Sequence, residues 1–444
     1  MRIIIGGAGE VGTHLSKMLA REKQDIILMD QSEERLHFSS NVEVMTIVGN
    51  PTSIQDLQTA GIDKADIFIG VTPEESTNMT ACMLATNLGA EKTIARVSND
   101  EYFLPENLEF FGKLGVDSLI CPEMLAAQEI MSALKKPWSR QWWELCGGAL
   151  ILIGVKVRDN APIVDKYLYD LSKEDKIYHI VAIKRDNETI IPRGKDQVKS
   201  GDILFFTTTR EHVDDVKTLS GKEEININKV TIMGGSHIAL KVAEQLSGNI
   251  RVKILEKDKG KSYKLAETVG NNVMIIHGDG RDTDLLTQEN IKSCDAFLAL
   301  TENSEANILA CVAAKTLGVK KTVAKIENID YIQMAEKLDI GTVINKKLIA
   351  ASHIYQFLLD ADVSNVKCLA FASADVTELV AHSNSKITRK PVKDLNLPKD
   401  MTLGGLIRDG IPQIIEGETM IQDGDHVVVF CLDTAMRKIE DYFN

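Results

Sequence analysis

The heptapeptide Asp66-Ile67-Phe68-Ile69-Gly70-Val71-Thr72 returns as Asp295-Ala296-Phe297-Leu298-Ala299-Leu300-Thr301, 229 residues later. Asn78 with Ala81-Cys82 returns as Asn307 with Ala310-Cys311 at the same offset. Upstream, Gly6-Gly7 after Ile3–Ile5 returns as Gly234-Gly235 after Val230–Met233, an offset of 228. Near the ends of the halves, Arg185-Asp186 and Gly201-Asp202 return as Arg408-Asp409 and Gly424-Asp425, an offset of 223. Chance matches do not hold so nearly constant an offset, so the chain is a tandem duplication.

Within the first half, apolar runs at Arg2–Ile5, Ile26–Met29, Val44–Val48, Ile67–Val71, Thr93–Val97 and Ser118–Ile120 read as strands. Amphipathic stretches lie between them, at Val11–Arg21, Glu33–Ser39, Ser53–Thr59, Glu75–Asn87 and Leu108–Lys113. Such alternation predicts a doubly wound parallel sheet, the Rossmann arrangement. A further helix, Glu123–Leu134, ends near Pro137. Beyond Trp138–Trp143 the texture becomes strands at Leu150–Val157, Ile180–Lys184, Thr189–Ile191 and Ile203–Thr207, with turn signals at Asp159-Asn160, Asp186-Asn187 and Ser200-Gly201-Asp202. The expected fold is therefore α/β, in two tandem units, each a Rossmann domain followed by a small α+β domain. The boundaries fall at 1–136, 137–218, 228–362 and 363–444, with Leu219–Asn228 as the joint.

Gly7-Ala8-Gly9-Glu10-Val11-Gly12 lies between the first strand and the first helix. Glycines at this spacing permit a tight turn, close approach of a pyrophosphate, and close packing of helix on strand. The phosphates then meet free amides at the positive end of a helix dipole. Asp30 ends the second strand, 18 residues beyond Gly12, where a carboxylate can accept both ribose hydroxyls. An acid there favours NAD, NADH or an adenine nucleotide such as ATP or ADP over a 2′-phosphorylated one. Asn50 follows the third strand, Thr72 and Glu74 follow the fourth, and Arg96 is near the end of the fifth, where ligands of such sheets bind. Asn78 reads as a hydrogen bonder at the start of its helix.

The second loop, Gly234-Gly235-Ser236-His237-Ile238-Ala239-Leu240, puts His237 and Leu240 where the first has Gly9 and Gly12. A side chain at the close-approach position crowds a pyrophosphate, yet Glu256, Asp279, Thr301 and Lys325 keep the places of Asp30, Asn50, Thr72 and Arg96. A second nucleotide site and a lobe kept only for assembly both remain open.

Composition excludes other classes. A formal charge of −13 and no basic arm argue against nucleic-acid binding. Seven scattered cysteines without a C-x-x-C spacing (Cys82, Cys121, Cys146, Cys294, Cys311, Cys368, Cys431) fit a reducing cytoplasm and no zinc site. Cys82 and Cys311 fall on apolar helix faces and read as core. The longest apolar run, around Ala149–Val155, falls far short of the ~20 residues that span a bilayer, and Met1–Ile5 enters a strand with no signal peptide. No P-loop, G-x-S-x-G or H-E-x-x-H occurs. His14 and His37 read as surface or edge residues. His237 faces the second loop, but a glycine matches it in the first, so a shared reaction cannot use it. The acidic stretch Glu101–Glu109 reads as a solvated face, not a metal site. A nucleotide site without evident chemistry points to a sensor, with an NAD-dependent oxidoreductase with an unrecognised active site as the alternative.

The loop Gly7–Gly12 with Asp30, the stretch Val71-Thr72 through Ser76-Thr77-Asn78-Met79, Ile94-Ala95-Arg96-Val97 and the duplication together resemble the TrkA family, peripheral subunits of bacterial Trk potassium-uptake systems. The resemblance covers the whole chain. It implies two RCK units per chain and assembly as a homotetramer into a cytoplasmic ring. It further implies a membrane partner of the TrkH/TrkG type, gated in response to NAD(H) or ATP/ADP, without insertion of this chain into the membrane. By it, Gly7 to Gly12 hold the pyrophosphate and Asp30 the ribose, while Thr72 and Arg96 complete the pocket.

Overall fold

The computed structural model describes residues 1–20, 24–37, 44–174, 177–186, 188–246, 248–358, 363–368, 374–432 and 436–443. Arg21, Phe38 and Ser39 of two expected helices, Asn187 of an expected turn and the boundary position 362 lie outside them, as does the side chain of Cys368. Two compact units emerge: residues 1–125 with 346–358, and residues 126–345 with 359–444.

The first unit is built on six parallel strands: β1 (Arg2–Gly6), β2 (Asp25–Asp30), β3 (Met45–Val48), β4 (Ile67–Gly70), β5 (Lys92–Arg96) and β6 (Ser118–Ile120). Their order, β3-β2-β1-β4-β5-β6, is the doubly wound order, with its switch point between β1 and β4. Apart from the edge strand β3, whose Met45 and Val48 are exposed, each short apolar run is a strand covered on both faces. Ile3, Ile5, Leu28 and Ile69 join one core cluster, while Ile4, Ile27, Met29 and Phe68 join the other. That period of two is what the pleat imposes.

One helix of this unit comes from far along the chain. Lys346–Leu358 buries Ala350, Ala351 and Ile354 in the cluster that holds Val11, Leu15, Leu19 and Ile120. Sequence order alone assigned this segment to the second Rossmann domain.

The second unit begins within the helix Pro122–Lys135. An antiparallel sheet follows, made of β7 (Gln141–Leu145), β8 (Leu150–Lys156), β9 (Tyr178–Arg185), β10 (Glu188–Ile190) and β11 (Ile203–Thr209) in the order β10-β9-β11-β8-β7. The Trp138–Trp143 stretch, expected as a boundary, supplies most of β7. A second parallel sheet comprises β12 (Lys229–Met233), β13 (Arg251–Glu256), β14 (Val273–His277), β15 (Ala296–Ala299), β16 (Lys321–Lys325) and β17 (Thr342–Ile344), ordered β14-β13-β12-β15-β16-β17. The last sheet holds β18 (Val363–Cys368), β19 (Ala374–Val380), β20 (Met401–Arg408), β21 (Ile411–Ile414) and β22 (His426–Leu432), ordered β18-β19-β22-β20-β21. It repeats the first antiparallel sheet strand for strand. The two small domains pack together: a Cβ on Gly404 would lie 2.7 Å from Thr207 and 3.1 Å from Val181.

Between the first small domain and the second parallel sheet, Asp339 gathers four cations. Arg140 hydrogen-bonds it, Lys315 and Arg158 stand 3.0 Å away, and Lys156 3.4 Å. Nearby, the buried Lys321 ammonium donates to the Ser139 carbonyl and the Thr342 hydroxyl. Among the described residues no helix is long and apolar enough to cross a membrane, and no His/Cys/Asp/Glu group could hold a metal ion. Cys82 and Cys311 are buried, as expected of core residues.

Candidate functional site

The loop after β1 turns on Gly7, whose φ of +118° suits only glycine. Its amide donates to the Met29 carbonyl at 2.7 Å, and a Cβ there would lie 2.8 Å from the Thr72 nitrogen. Gly12 is required for another reason. A Cβ at Gly12 would lie 1.9 Å from the Gly7 oxygen, so only glycine lets the helix Glu10–Ala20 press against the loop. Gly9 differs from both, since a Cβ there would meet nothing within 4 Å. The protein's own packing does not demand a bare backbone at Gly9, but a close-approaching diphosphate does. The helix start beside it leaves amides without intrahelical partners.

Asp30 is 7 % exposed. Its Oδ2 accepts from the Ala8 amide at 2.7 Å and its Oδ1 from the Ser32 amide at 2.9 Å, with Arg35 3.8 Å away. The carboxylate thus anchors the loop and keeps lone pairs for further donors such as sugar hydroxyls. Val11 is a core residue, and Ala8 is buried as well. Glu10 and Glu74 are exposed.

Asn50 and Thr72 stand beyond their strands and Arg96 is the last residue of β5, each with a local task. The Asn50 side-chain oxygen closes its own turn, accepting from the Thr52 amide at 2.9 Å and hydroxyl at 2.8 Å. Arg96 lies 3.5 Å from Glu123, which also takes Lys346 at 3.1 Å. Burial raises the Glu123 carboxyl's pKa, but the two cations outweigh it and hold the group below its ordinary range. Thr72 is held by Asn78, a residue 1 % exposed. Asn78 Oδ1 accepts from the Thr72 amide and hydroxyl, both at 2.8 Å, and Nδ2 donates to the carbonyls of Thr72 at 3.0 Å and Arg96 at 2.8 Å. It fixes the spacing of β4 and β5 where they open into the site. This is more than a bonder at a helix start, and only its recurrence as Asn307 pointed to it.

The second lobe repeats the geometry with a corrected register. Gly234, not Gly235, is the counterpart of Gly7: its φ is +95°, its amide donates to the Leu255 carbonyl at 2.8 Å, and its Cβ would press on Thr301. Pairing Gly-Gly with Gly-Gly misplaced the loop by one residue, because positive φ, not letter identity, fixes the turn. Ser236 and Ala239 therefore stand where Gly9 and Gly12 do, and His237 and Leu240 do not. Alanine is tolerated at the last position of such loops. Ser236 caps the helix His237–Gln245, accepting from the Ala239 amide at 3.3 Å.

Glu256 matches Asp30, accepting from the amides of Gly235 at 2.9 Å and Asp258 at 2.8 Å. Burial raises its pKa, but these amides and Lys261 overcome that and hold the carboxyl low. Asn307 matches Asn78, bonding Thr301 and the Lys325 carbonyl. A cavity of about 660 Å³ opens here, lined by Gly234, Gly235, Ser236, His237, Glu256, Asp279 and Thr301. Ile238 is core, and Lys325 is buried and paired with Glu302 at 2.7 Å, so neither lines it. Lys257, Lys261 and Arg281, which sequence reasoning missed, do. Arg281 grips Asp279 bidentately at 3.0 and 2.6 Å, holding that carboxyl well below its usual range.

Comparison with known proteins matches the TrkA-N domain at residues 3–122 and 230–346, and the TrkA-C domain at 152–221 and 376–444. The Trk system potassium uptake protein TrkA of Halomonas elongata is 32% identical over 448 residues, covering 99% of this chain and 97% of the relative. That of Haemophilus influenzae is 31% identical, covering 98% and 96%. Among solved structures, the GsuK RCK domain superposes with a TM-score of 0.62 at 14% identity, over 100% of this chain and 94% of that one. The GsuK channel bound to NAD gives 0.61 at 14% identity, over 100% and 78%. Two TrkA-N domains alternating with two TrkA-C domains, in a chain that matches curated relatives end to end, place it in the TrkA family.

Proposed function

We propose that this chain is the nucleotide-sensing regulatory subunit of a Trk-type potassium-uptake system. NAD or NADH, or ATP or ADP at the same sites, binds at Gly7–Gly12, with Asp30 on the ribose and Asn50, Thr72, Glu74 and Arg96 around the pocket. The observation that carries this reading is the open space over Gly9 beside the loop-anchored Asp30. Support comes also from the relatives, named as potassium uptake proteins, and from channel structures of this fold bound to NAD and to ADP. The second lobe is a further nucleotide site, in the cavity over Gly234–Ile238, Glu256, Asp279 and Thr301, with Lys325 behind it. Along the sequence the domains divide at 1–136, 137–218, 228–362 and 363–444, with Lys346–Leu358 of the third packing into the core of the first. The protein assembles as a homotetrameric ring on the cytoplasmic face of the membrane, beneath a potassium-translocating subunit of the TrkH/TrkG type.

Binding energy is spent on the balance between two arrangements, not on a reaction. Calorimetry of the full chain with NADH and ATP tests the reading, alongside NADH absorbance in the presence of simple keto acids. Binding without turnover is expected. Sustained oxidation of NADH would instead make the protein an oxidoreductase.

A further inference from the structure

We propose that Lys347, from the second half of the chain, is a phosphate-binding residue of the first nucleotide site. The inference rests on the proposed reading of that site.

The helix Lys346–Leu358 is anchored in the first lobe by Ala350, Ala351 and Ile354, and this brings its first turn to the glycine loop. Lys347 Nζ lies 3.4 Å from Glu10 Oε1, and its side chain is only 15 % exposed. Lys346 meets Glu123, the partner of Arg96. Two lysines at the amino end of a helix oppose its dipole, which there favours acids. No acid stands in that first turn to relieve them. Anions from outside the helix must do so.

Glu10 is one such anion, but it stands at the head of the helix Glu10–Ala20, where an arriving diphosphate would be repelled by it. Lys347 neutralises that carboxylate and brings a flexible ammonium to the loop's edge. A diphosphate over Gly9 offers this ammonium a doubly charged partner in place of an exposed carboxylate.

The duplication marks the position independently. The Val97 amide bonds Ile120, and the Ile326 amide bonds Ile344. Ile344 therefore matches Ile120, and Lys347 matches Glu123. Where the repeats kept Thr72/Thr301 and Asn78/Asn307, they reversed charge here, and the reversed copy is the one docked beside the loop with free space over Gly9.

Full-chain Lys347→Gln, Lys347→Glu, Glu10→Gln and Asp30→Asn, titrated calorimetrically with ATP and NADH at low and high salt, test this. The class of sites lost in Asp30→Asn identifies the first lobe. There, Lys347→Gln should bind about tenfold more weakly, the loss of one charge-assisted contact. Lys347→Glu should bind more weakly still, and Glu10→Gln more tightly than wild type. The Lys347→Gln deficit should shrink with added salt, and melting without ligand should be unchanged. Lys347→Gln binding like wild type, while Asp30→Asn loses the site, overturns the role of Lys347 alone. No effect of Asp30→Asn, or no binding by wild type, removes the underlying reading and this proposal with it.

Discussion

Arg185 grips Asp202 with two parallel hydrogen bonds, Nε to Oδ1 at 2.9 Å and Nη2 to Oδ2 at 2.7 Å. Arg408 repeats the grip on Asp425 at 2.9 and 2.6 Å. Both carboxylates are 2 % exposed, and each also accepts a backbone amide, from Lys199 and Gln422 at 2.8 Å. The residues that marked the duplication in the small domains are thus one structural clasp, made twice. Asp202→Asn keeps the shape and removes the charge, leaving the guanidinium half-paired. It should destabilise the fold by about 3 kcal/mol. Denaturant titration of the variant checks this, and an unchanged midpoint would show the clasp to be decorative.

Gly9 and Gly12 should separate binding from stability. Gly12→Ala forces a Cβ to 1.9 Å from the Gly7 oxygen, and should cost about 1–3 kcal/mol. Gly9→Ala meets nothing in the protein and should melt like wild type, yet bind NADH more weakly. Gly9→Val or Asp30→Ala should weaken binding at the first lobe far more than His237→Ala does. If Gly9→Ala melts low and binds normally, the open space over the loop has no ligand.

The second lobe should bind through the cations that line its own cavity. Lys261→Ala and Arg281→Ala remove positive charge from the walls of its cavity. Each should weaken a class of ATP sites that survives Asp30→Asn. Two-site calorimetric fits on the single and paired variants report this directly, and a single class in wild type that disappears with Asp30→Asn contradicts it.

Asp339 should make the fold acid-sensitive in a defined window. Burial raises its carboxyl's pKa, but Arg140, Lys315 and Lys156 overcome that and bring it to about 2. A folded pKa below the ordinary 3.8 means stability that is present above about pH 4 and lost as pH falls towards 2. Asp339→Asn, which also suits the residue's φ of +54°, should be less stable than wild type at neutral pH. The two should converge near pH 2, as denaturation across that range would reveal. A constant gap would assign the loss to packing instead.

Lys321 carries the opposite slope. Burial, helped by Arg140, pushes its ammonium down to about 7 from an ordinary 10.5. Below pH 7 both folded and unfolded chains hold the proton, and the penalty for burying the charge is complete. Between about 7 and 10.5 the unfolded chain binds more protons, so stability should rise with pH. Lys321→Met should flatten that rise in melts recorded from pH 7 to 10, and an unaltered slope would point to another group.

The sheets and their duplication were legible because buried parallel strands are short apolar runs, and Ile3-Ile4-Ile5 admits little else. The loop Gly7–Gly12 and Asp30 were legible for the same local reason. What failed was register and reach. Gly234 and Gly235 look alike as letters, and only the turn shows which takes positive φ. The helix Lys346–Leu358 presents an apolar face that names no partner, so sequence order gave it to the nearer sheet. Lys257, Lys261 and Arg281 resemble any solvated cations until β13 and β14 bring their loops to one mouth. Asn78 was read as local because its bond to the Arg96 carbonyl spans two strands.

Ala350, Ala351 and Ile354 complete the core around Val11, Leu15 and Leu19. A ribosome delivers Leu15 long before Ile354. Throughout that interval the nascent amino-terminal lobe presents an uncovered oily flank to the cytosol. Gene fragments that stop after the first repeat should accordingly yield aggregating protein, even though every strand of that lobe's sheet is present.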